Sequence, residues 1–260
     1  MSEVVVLSSV PAADFPSEWF DITAEGHFWL DWRFTAFAAQ LRDCGVPLDA
    51  PWRAFDVGCG HGVLRRQVER AGAWTVDGCD LHAGALAQAG DTRGASYLYD
   101  VFDRRPELQQ RYDAILLFDV IEHVPEPGAF LAAVLDHLKP GGWLFLNVPA
   151  LESLRSRFDD VVGHLRRYDR ASLEATLRRQ RLIIRDVRFW GFAMLPYLVI
   201  RRLTRARRDD AAGVIAHGVL PPAPWMDAWI RRIMAVETGL LRRPPLGTSL
   251  LAAAQREGGG

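Results

Sequence analysis

Three glycines in five positions follow a short apolar run in FDVGCGHG, residues 55–62. Without a Cβ, Gly58, Gly60 and Gly62 can adopt positive φ and let the backbone approach a ligand closely. A dinucleotide site spaces its glycines G-x-G-x-x-G, so that a pyrophosphate meets the helix N-terminus. Here the third glycine of that pattern would fall on Val63, and the spacing is instead D-x-G-x-G-x-G from Asp56. VDGCDL then ends in Asp80 and Leu81. A carboxylate at that point can accept hydrogen bonds from both ribose hydroxyls of a nucleoside, and it would repel a 2′-phosphate. It can equally cap the helix that follows. Two histidines are candidate bases, since imidazole titrates near neutral pH. His123 stands in DVIEHV and His164 in VVGHLRRYDRASL. The other reading of each is structural: His123 hydrogen-bonded in a loop after a strand, and the His164 segment leading into a helix that Arg166, Arg167 and Tyr168 cap or solvate. Cys44, Cys59 and Cys79 have no metal-ligand spacing, and an odd number argues against a disulfide framework, so no metal is expected.

These residues need elements to hold them. Residues 17–43 read as a helix carrying Trp19, Phe20, Phe28, Trp29, Trp32, Phe34, Phe37 and Leu41, and GVPLDAP breaks it. From there strands and helices alternate. The expected strands are 54–58, 75–80, 96–100, 112–120, WLFLNVP (143–149), 182–190 and one within GTSLLAAAQR near the end. YDAILLFDV is the strongest of them, a continuous apolar run as expected when both faces of a strand are covered. Between them lie helices in GVLRRQVERAGA, LHAGALAQAG, PGAFLAAVLDHLKPGG and residues 171–180. This alternation predicts an α/β fold with a parallel sheet and helices on both faces. Ligands in such sheets sit beyond the carboxyl ends of the strands, so the loops starting at Gly58, Asp80, Asp100, Phe118 and Asn147 should build the site.

Four segments, FDVGCGHG, GCDLHAGALAQA, YDAILLFDVIEHV and LKPGGWLFLNVPA, stand in the order and spacing of class I S-adenosylmethionine-dependent methyltransferases. The resemblance covers roughly residues 50–190. It implies a Rossmann-like, seven-stranded, mostly parallel sheet with an antiparallel last strand, and S-adenosylmethionine as methyl donor with S-adenosylhomocysteine as product. By the same resemblance Asp56, Gly58, Cys59, Gly60 and Gly62 pack against the cofactor, Asp80 and Leu81 hold its ribose end, Asp100 and Val101 lie near the adenine, and Phe118 and Asp119 line the methionine side. The chemistry agrees: this cofactor has no phosphate, GHGVL offers no phosphate-binding lysine, and a cationic sulfonium suits a site rich in Asp56, Asp80, Asp100 and Asp119. GHFWLDWR (26–33) paired with GHLRRYDR (163–170) is similar to a bacterial small-molecule branch that includes surface-glycan modifiers, while EHV and LKPGG resemble ubiquinone-biosynthesis O-methyltransferases. That likeness implies acceptor-side roles for His27, Trp29, Arg33, Arg167 and Tyr168, and a lid over the cofactor formed by His27, Trp29, Trp32 and Arg33; the other reading of the lid is an aromatic packing helix. The expected organisation is one domain: a helical lid over 1–50, a cofactor core over 51–190, a helical acceptor-side insertion over 191–247 and the last strand over 248–257.

The expected reaction is methyl transfer to a small-molecule hydroxyl, on a sugar precursor or a quinone-like or phenolic intermediate. A noncatalytic S-adenosylmethionine-binding partner is the alternative from another class, and an NAD-dependent enzyme is disfavoured by Val63. The strand end LLFDVIEH has no Asn-Pro-Pro-Tyr-type motif, so no nucleic-acid acceptor is expected. Charge is uneven: residues 151–260 hold 20 Arg against 11 acidic groups, a balance of +9, while residues 1–150 stand at −10. The apolar run and arginine cluster over 189–208 suggest peripheral contact with a membrane or a lipid-linked acceptor, or else a core-covering helix with a solvated end. The first residues lack a basic, apolar leader pattern and the cysteines show no oxidising framework, which together suggest a cytoplasmic protein.

Overall fold

The computed structural model describes residues 3–9, 26–196, 198–199 and 224–258. Eight strands form one sheet: β1 (Val4–Val6), β2 (Arg53–Val57), β3 (Thr75–Asp80), β4 (Ser96–Leu98), β5 (Tyr112–Phe118), β6 (Leu138–Pro149), β7 (Leu182–Trp190) and β8 (Ser249–Arg256). Their order across the sheet is β1-β4-β3-β2-β5-β6-β8-β7, and every neighbouring pair is parallel except those made by β8, which runs antiparallel to both β6 and β7. From β2 the chain winds outward first to β3 and β4 and later to β5 and β6. The loops after β2 and β5 therefore diverge at adjacent strand ends and leave a crevice between them.

The helices are α1 (Phe28–Asp43), α2 (Val63–Ala71), α3 (Ala83–Ala87), α4 (Pro127–Leu135), α5 (Arg157–Val161), α6 (Arg170–Arg178) and α7 (Pro224–Leu240). Local chemistry sets their ends. Pro127 opens α4, where a missing N–H costs nothing. Asp169 and Ser172 close a reciprocal capping box at the start of α6. Gly72 ends α2 because a Cβ there would come within 2.0 Å of the Leu48 carbonyl oxygen. Arg65 on α2 is fully buried and donates to the carbonyls of Val76, Gly94 and Ala95 and to the hydroxyls of Thr92 and Ser96, so it cements α2 to the β3–β4 edge.

Two apolar cores cover the sheet. On one face Leu131 and Val134 of α4 and Leu173 and Leu177 of α6 pack against Ile115, Leu117, Leu144 and Leu146. On the other, Phe37 and Leu41 of α1 pack with Leu64, Val68, Leu116 and Phe145. Phe37 meets Phe118 and Phe145 edge-on, with centroids 5.1 and 5.3 Å apart. Thus α1 is an integral layer of the fold, and the α/β Rossmann-like architecture with its antiparallel last strand is as the sequence implies.

Three differences stand out. The sheet has eight strands rather than seven, because Val4–Val6 adds a parallel edge to Ser96–Leu98. LKPGG, expected as the stop of a helix, already belongs to β6: α4 ends at Leu135 and Leu138 pairs with Tyr112. The expected lid helix, α1, begins at Phe28, and residues 17–25 of that expectation lie outside the described residues, as do 200–223 of the expected insertion and with them the whole arginine cluster of 201–208. Among the described residues no helix is long and apolar enough to cross a membrane.

Because Phe37 is fully buried between α1 and the sheet, Phe37→Ala should cost about 3–5 kcal/mol. Urea unfolding monitored by tryptophan fluorescence checks this; a loss below about 1 kcal/mol would mean that α1 is not part of the core.

Candidate active site

The carboxyl ends of β2, β3, β5 and β6 open into a cavity of about 620 Å3 that α1 covers from one side. At one end lies the glycine loop. Gly58, Gly60 and Gly62 have φ of 73°, 51° and 73°, a left-handed conformation that glycine alone adopts without cost. Gly58 has a second reason to lack a side chain: its Cβ would stand 2.6 Å from Cγ2 of Val120 in the loop after β5. The N–H groups of Gly58 and Cys59 donate to the Cys79 carbonyl at 2.8 and 3.0 Å, which pins this loop to the end of β3. Asp80 accepts from the Gly60 N–H at 2.8 Å and from the His82 N–H at 2.9 Å. Its two oxygens are thus fixed and keep acceptor capacity toward the cavity that Asp80 lines. The cap of α3 is supplied by the His82 side chain rather than by Asp80.

Buried carboxyls gather here. Asp56 is 2% exposed, and burial pushes its pKa up to about 7 against the pull of Arg65 and Arg33, with Asp80 adding to the rise. Burial also raises Asp80, opposed by the N–H groups of His82 and Gly60. Leu81, Asp100 and Val101 line the next part of the wall. Asp100 is held from outside the expected core, its N–H donating to the Ser8 hydroxyl at 3.0 Å.

At the strand ends of β5 and β6 a hydrogen-bonded chain crosses the cavity wall. Arg33 of α1 pairs with Asp119, Asn147 donates to Asp119 at 2.5 Å, and Trp190 Nε1 donates to Asn147 Oδ1 at 2.8 Å. Arg33 also lies over the Phe118 ring at 5.3 Å. Trp29 packs on Trp190 with centroids 4.6 Å apart, and His27 caps α1 by accepting from the Trp29 N–H at 3.3 Å. His27, Trp29 and Arg33 line the cavity, whereas Trp32 lies behind them, its ring edge-on to Trp190.

His123 and His164 meet at the far end, ring centroids 4.8 Å apart, although 40 residues separate them in the chain. His123 Nδ1 lies 3.1 Å from the Gly163 carbonyl, and the Leu165 N–H donates to the Glu122 carbonyl at 2.9 Å, so the loop after β5 and the segment after α5 are laced together. Burial, and then the neighbouring His164, lower the pKa of His123 to about 4 and keep it neutral. His164 Nδ1 lies 2.8 Å from Asp159 Oδ1. Burial opposes the charge of Asp159, yet hydrogen bonds from His164, Arg167 and the Ser156 N–H win and hold its carboxyl well below the usual range. Arg167 lines the cavity while donating to Asp159 and to the Ala150 carbonyl.

Most residues singled out from the sequence therefore converge on one cavity. Gly62 serves instead as the left-handed cap of α2, and Tyr168 is buried in the core, away from the lining. Sequence reasoning passed over Glu122, Asp159 and Trp190, as well as the apolar stretch of wall formed by Phe130, Phe158 and Val162. DVIEHV did carry Glu122 beside His123, but nothing in the string says which of the two faces inward.

Residues 14–182, more than half of the chain, match the family described as "Methyltransferase domain". The chain belongs to that family. Its relatives include the ubiquinone biosynthesis O-methyltransferases of Burkholderia orbicola (strain MC0-3), 34% identical over 117 residues, and of Hydrogenovibrio crunogenus, 33% identical over 98. These alignments cover 43% and 35% of this chain and only 50% and 40% of those relatives, so about half of each relative is matched. Among solved structures, an S-adenosylmethionine-dependent methyltransferase of Mesorhizobium loti superposes with a TM-score of 0.55 at 20% identity, over 85% of this chain and 98% of that one. The phosphoethanolamine N-methyltransferase 2 of Haemonchus contortus, in complex with S-adenosylmethionine, gives 0.54 at 17% identity, over 85% and 52%. The cyclase SpnF gives 0.57 at 19%, over 96% and 90%. At these identities the likeness is one of fold, and the cyclase illustrates that the fold alone does not choose the chemistry.

The carboxyl of Asp56 makes a testable contribution to stability in this family member. A carboxyl whose folded pKa exceeds its unfolded value of 3.8 adds stability below about pH 4 and loses it as pH rises toward 7. Asp56→Asn should therefore gain on the wild type as pH rises across that window, by about 1.4 kcal/mol per pKa unit. Urea midpoints at pH 4.5 and 8 measure it; parallel pH dependence in both proteins would contradict the raised carboxyl.

Proposed function

We propose that the protein is an S-adenosylmethionine-dependent methyltransferase acting on the hydroxyl of a small molecule. One observation carries this reading: a single cavity holds the glycine loop with Asp80 at one end and the His123–His164 pair at the other. The residues fit the donor. Positive-φ glycines leave room for close backbone approach, Asp80 presents fixed oxygens of the kind two ribose hydroxyls bind, and no lysine stands in the loop to favour a phosphate. Buried Asp56 and half-buried Asp80 suit a cationic ligand, whose charge lowers their pKa values again. When bound, the donor supplies a methyl group on a sulfonium, already a good leaving group.

The chain's own residues then have two tasks. The first is alignment. Arg33, Asp119, Asn147 and Trp190 fix the wall between the two ends, and holding both reactants in line can supply up to about 7–11 kcal/mol of the barrier. The second is ionisation of the acceptor hydroxyl. His164 promotes it by proton uptake at Nε2. Asp159 at Nδ1 orients His164 and stabilises the imidazolium that results, while His123 packs edge-on against the His164 ring. With the acceptor oxygen so prepared, a donor bound at the glycine loop would pass its methyl carbon to that oxygen, the sulfur–methyl electron pair returning to sulfur, and would leave as neutral S-adenosylhomocysteine.

The names of the curated relatives support a phenolic or quinone-like acceptor. So does the wall: Phe28, Trp29, Phe118, Phe130 and Phe158 suit an aromatic ring better than a sugar. A noncatalytic binding module remains the reading to beat. Calorimetry with S-adenosylmethionine should show Asp80→Ala weakened at least about tenfold; equal binding by both proteins would remove the ribose assignment. With phenolic acceptors and labelled donor, His164→Ala should lose about 10²–10⁴ in kcat while donor affinity holds. Donor binding without turnover on any hydroxyl acceptor would favour the module.

A further inference from the structure

Glu122 is the one group at the acceptor end that methyl transfer, as derived above, leaves without a task. It is fully buried, and neither carboxylate oxygen has a hydrogen-bond partner. Such a group costs several kcal/mol when ionised, and a protein has little reason to keep it unless something completes it. What lies beside it is ligand chemistry: His164 Nε2 stands 3.9 Å from Glu122 Oε1, and one donor atom from each of Glu122, His123 and His164 falls within 4.8 Å of the others.

We infer that Glu122, His123 and His164 form a binding site for a divalent transition-metal cation, of which Zn2+ and Co2+ are representatives. Three further observations favour it. Each imidazole is oriented through Nδ1, His164 by Asp159 and His123 by the Gly163 carbonyl, and a proton held on His164 Nδ1 leaves its Nε2 lone pair, 3.9 Å from Glu122 Oε1, for a cation. This carboxylate–histidine arrangement is how proteins orient metal-ligating imidazoles. The three residues are also tied together before any cation arrives, through the Leu165 N–H to the Glu122 carbonyl. Finally, two histidines and one carboxylate give borderline ligands with an open position, a set that suits zinc-like ions rather than calcium or magnesium. Ligand bonds of about 2.0–2.2 Å need the donor atoms roughly 3.3 Å apart, so the widest of the separations has to close by up to about 1.5 Å on the cation.

This deepens the proposed function and rests on it for the position of the acceptor. With a cation on the same Nε2 atoms, the histidines act through the metal: the acceptor hydroxyl takes the open position, its pKa falls, and its proton leaves to water. The expectation of no metal came from the cysteines, and these three residues lie outside that argument.

The test is titration of the metal-free protein with Co2+, followed by its visible absorption, with no donor or acceptor present. The wild type should bind one Co2+ with a ligand-field spectrum, and added Zn2+ should displace it. Glu122→Gln and His164→Ala should each weaken binding at least about tenfold, and Asp159→Asn by about 10–100-fold. His82→Ala, at the opposite end of the cavity, should bind as the wild type does. Circular dichroism and S-adenosylmethionine calorimetry on each variant report folding. Absence of a Co2+ spectrum in the wild type, or equal affinity in wild type and folded Glu122→Gln, would overturn the inference. Methyl turnover undiminished by a chelator in that case would leave the methyltransferase reading standing, whereas Co2+ binding without any donor binding would sink that reading instead.

Discussion

Where α1 crosses the carboxyl ends of β5 and β6, a buried guanidinium meets a half-buried carboxylate, and satisfying them organises the site. Arg33 is costly to bury alone, and the cost falls only when it is paired and its partner is hydrogen-bonded. Asn147 completes Asp119, Trp190 completes Asn147, and Trp190 in turn packs against Trp29 and Trp32 of α1. Behind Trp190 the buried Glu237 of α7 accepts from the N–H groups of Gly191, Phe192 and Ala193, so the chain leaving β7 is held by the same logic. Five elements distant in sequence are thereby fixed around one wall. The left-handed backbone at Asp119, φ 57°, is strain accepted to aim that carboxylate.

The same considerations say why some features could be read from the string and others not. FDVGCGHG and VDGCDL are local: a strand end, a glycine turn and a carboxylate whose functions follow from positions a few residues apart. The parallel core follows from alternation, because apolar runs such as YDAILLF have to be covered on both faces. Val4–Val6 is different. Three valines make an edge strand only because Ser96–Leu98 offers an unpaired edge, a pairing invisible at a separation of some ninety residues. Tyr168 was misjudged in the opposite direction, as its neighbours Arg166, Arg167 and Asp169 are polar while its own ring enters the core. Glu122 and Asp159 escaped because a carboxylate in the sequence looks solvated until the fold shows what surrounds it.

Charge asymmetry between the halves also takes on a different meaning in three dimensions. Part of the acidity of the first half belongs to the cavity, through Asp56, Asp80 and Asp100, as the sequence suggests. Another part is spent on structure: Asp77 accepts from Arg53 and Tyr112, and Asp113 pairs with Lys139. Arginines of the second half are likewise engaged. Arg188 bridges Asp186 and Asp43, Arg243 reaches Asp186, Arg231 pairs with Asp31, and Arg167 serves Asp159. Two of these pairs, Arg188–Asp43 and Arg231–Asp31, join α1 to β7 and to α7, so the opposite charge of the two halves works partly as glue between them. The imbalance of charge between the halves is, for these residues, satisfied within the fold.

Sites that move protons separate the pKa values of neighbouring groups, and here the separation follows the length of the cavity. At the glycine end burial lifts Asp56 and Asp80; at the other it lifts Glu122, with Asp119 nearby adding to the effect, and depresses His123. All four shifts favour the neutral form, so without a cationic ligand the cavity resists charge at both ends. Asp159 is the exception, kept ionised by Arg167, Ser156 and His164 although it too is buried. A cation arriving at either end reverses the local balance, since ionisation of the waiting carboxyl then costs less than leaving it protonated beside the charge. Binding of the proposed donor and of the proposed metal would each release protons for this reason. The two ends would also communicate, because Asp119 lies between them: it is paired with Arg33 over the donor side and raises Glu122 on the acceptor side. Any ligand that draws Arg33 away from Asp119 leaves more negative charge facing Glu122, and any cation on Glu122 relieves it. The ion pair that shapes the wall is thus also the electrostatic link across it.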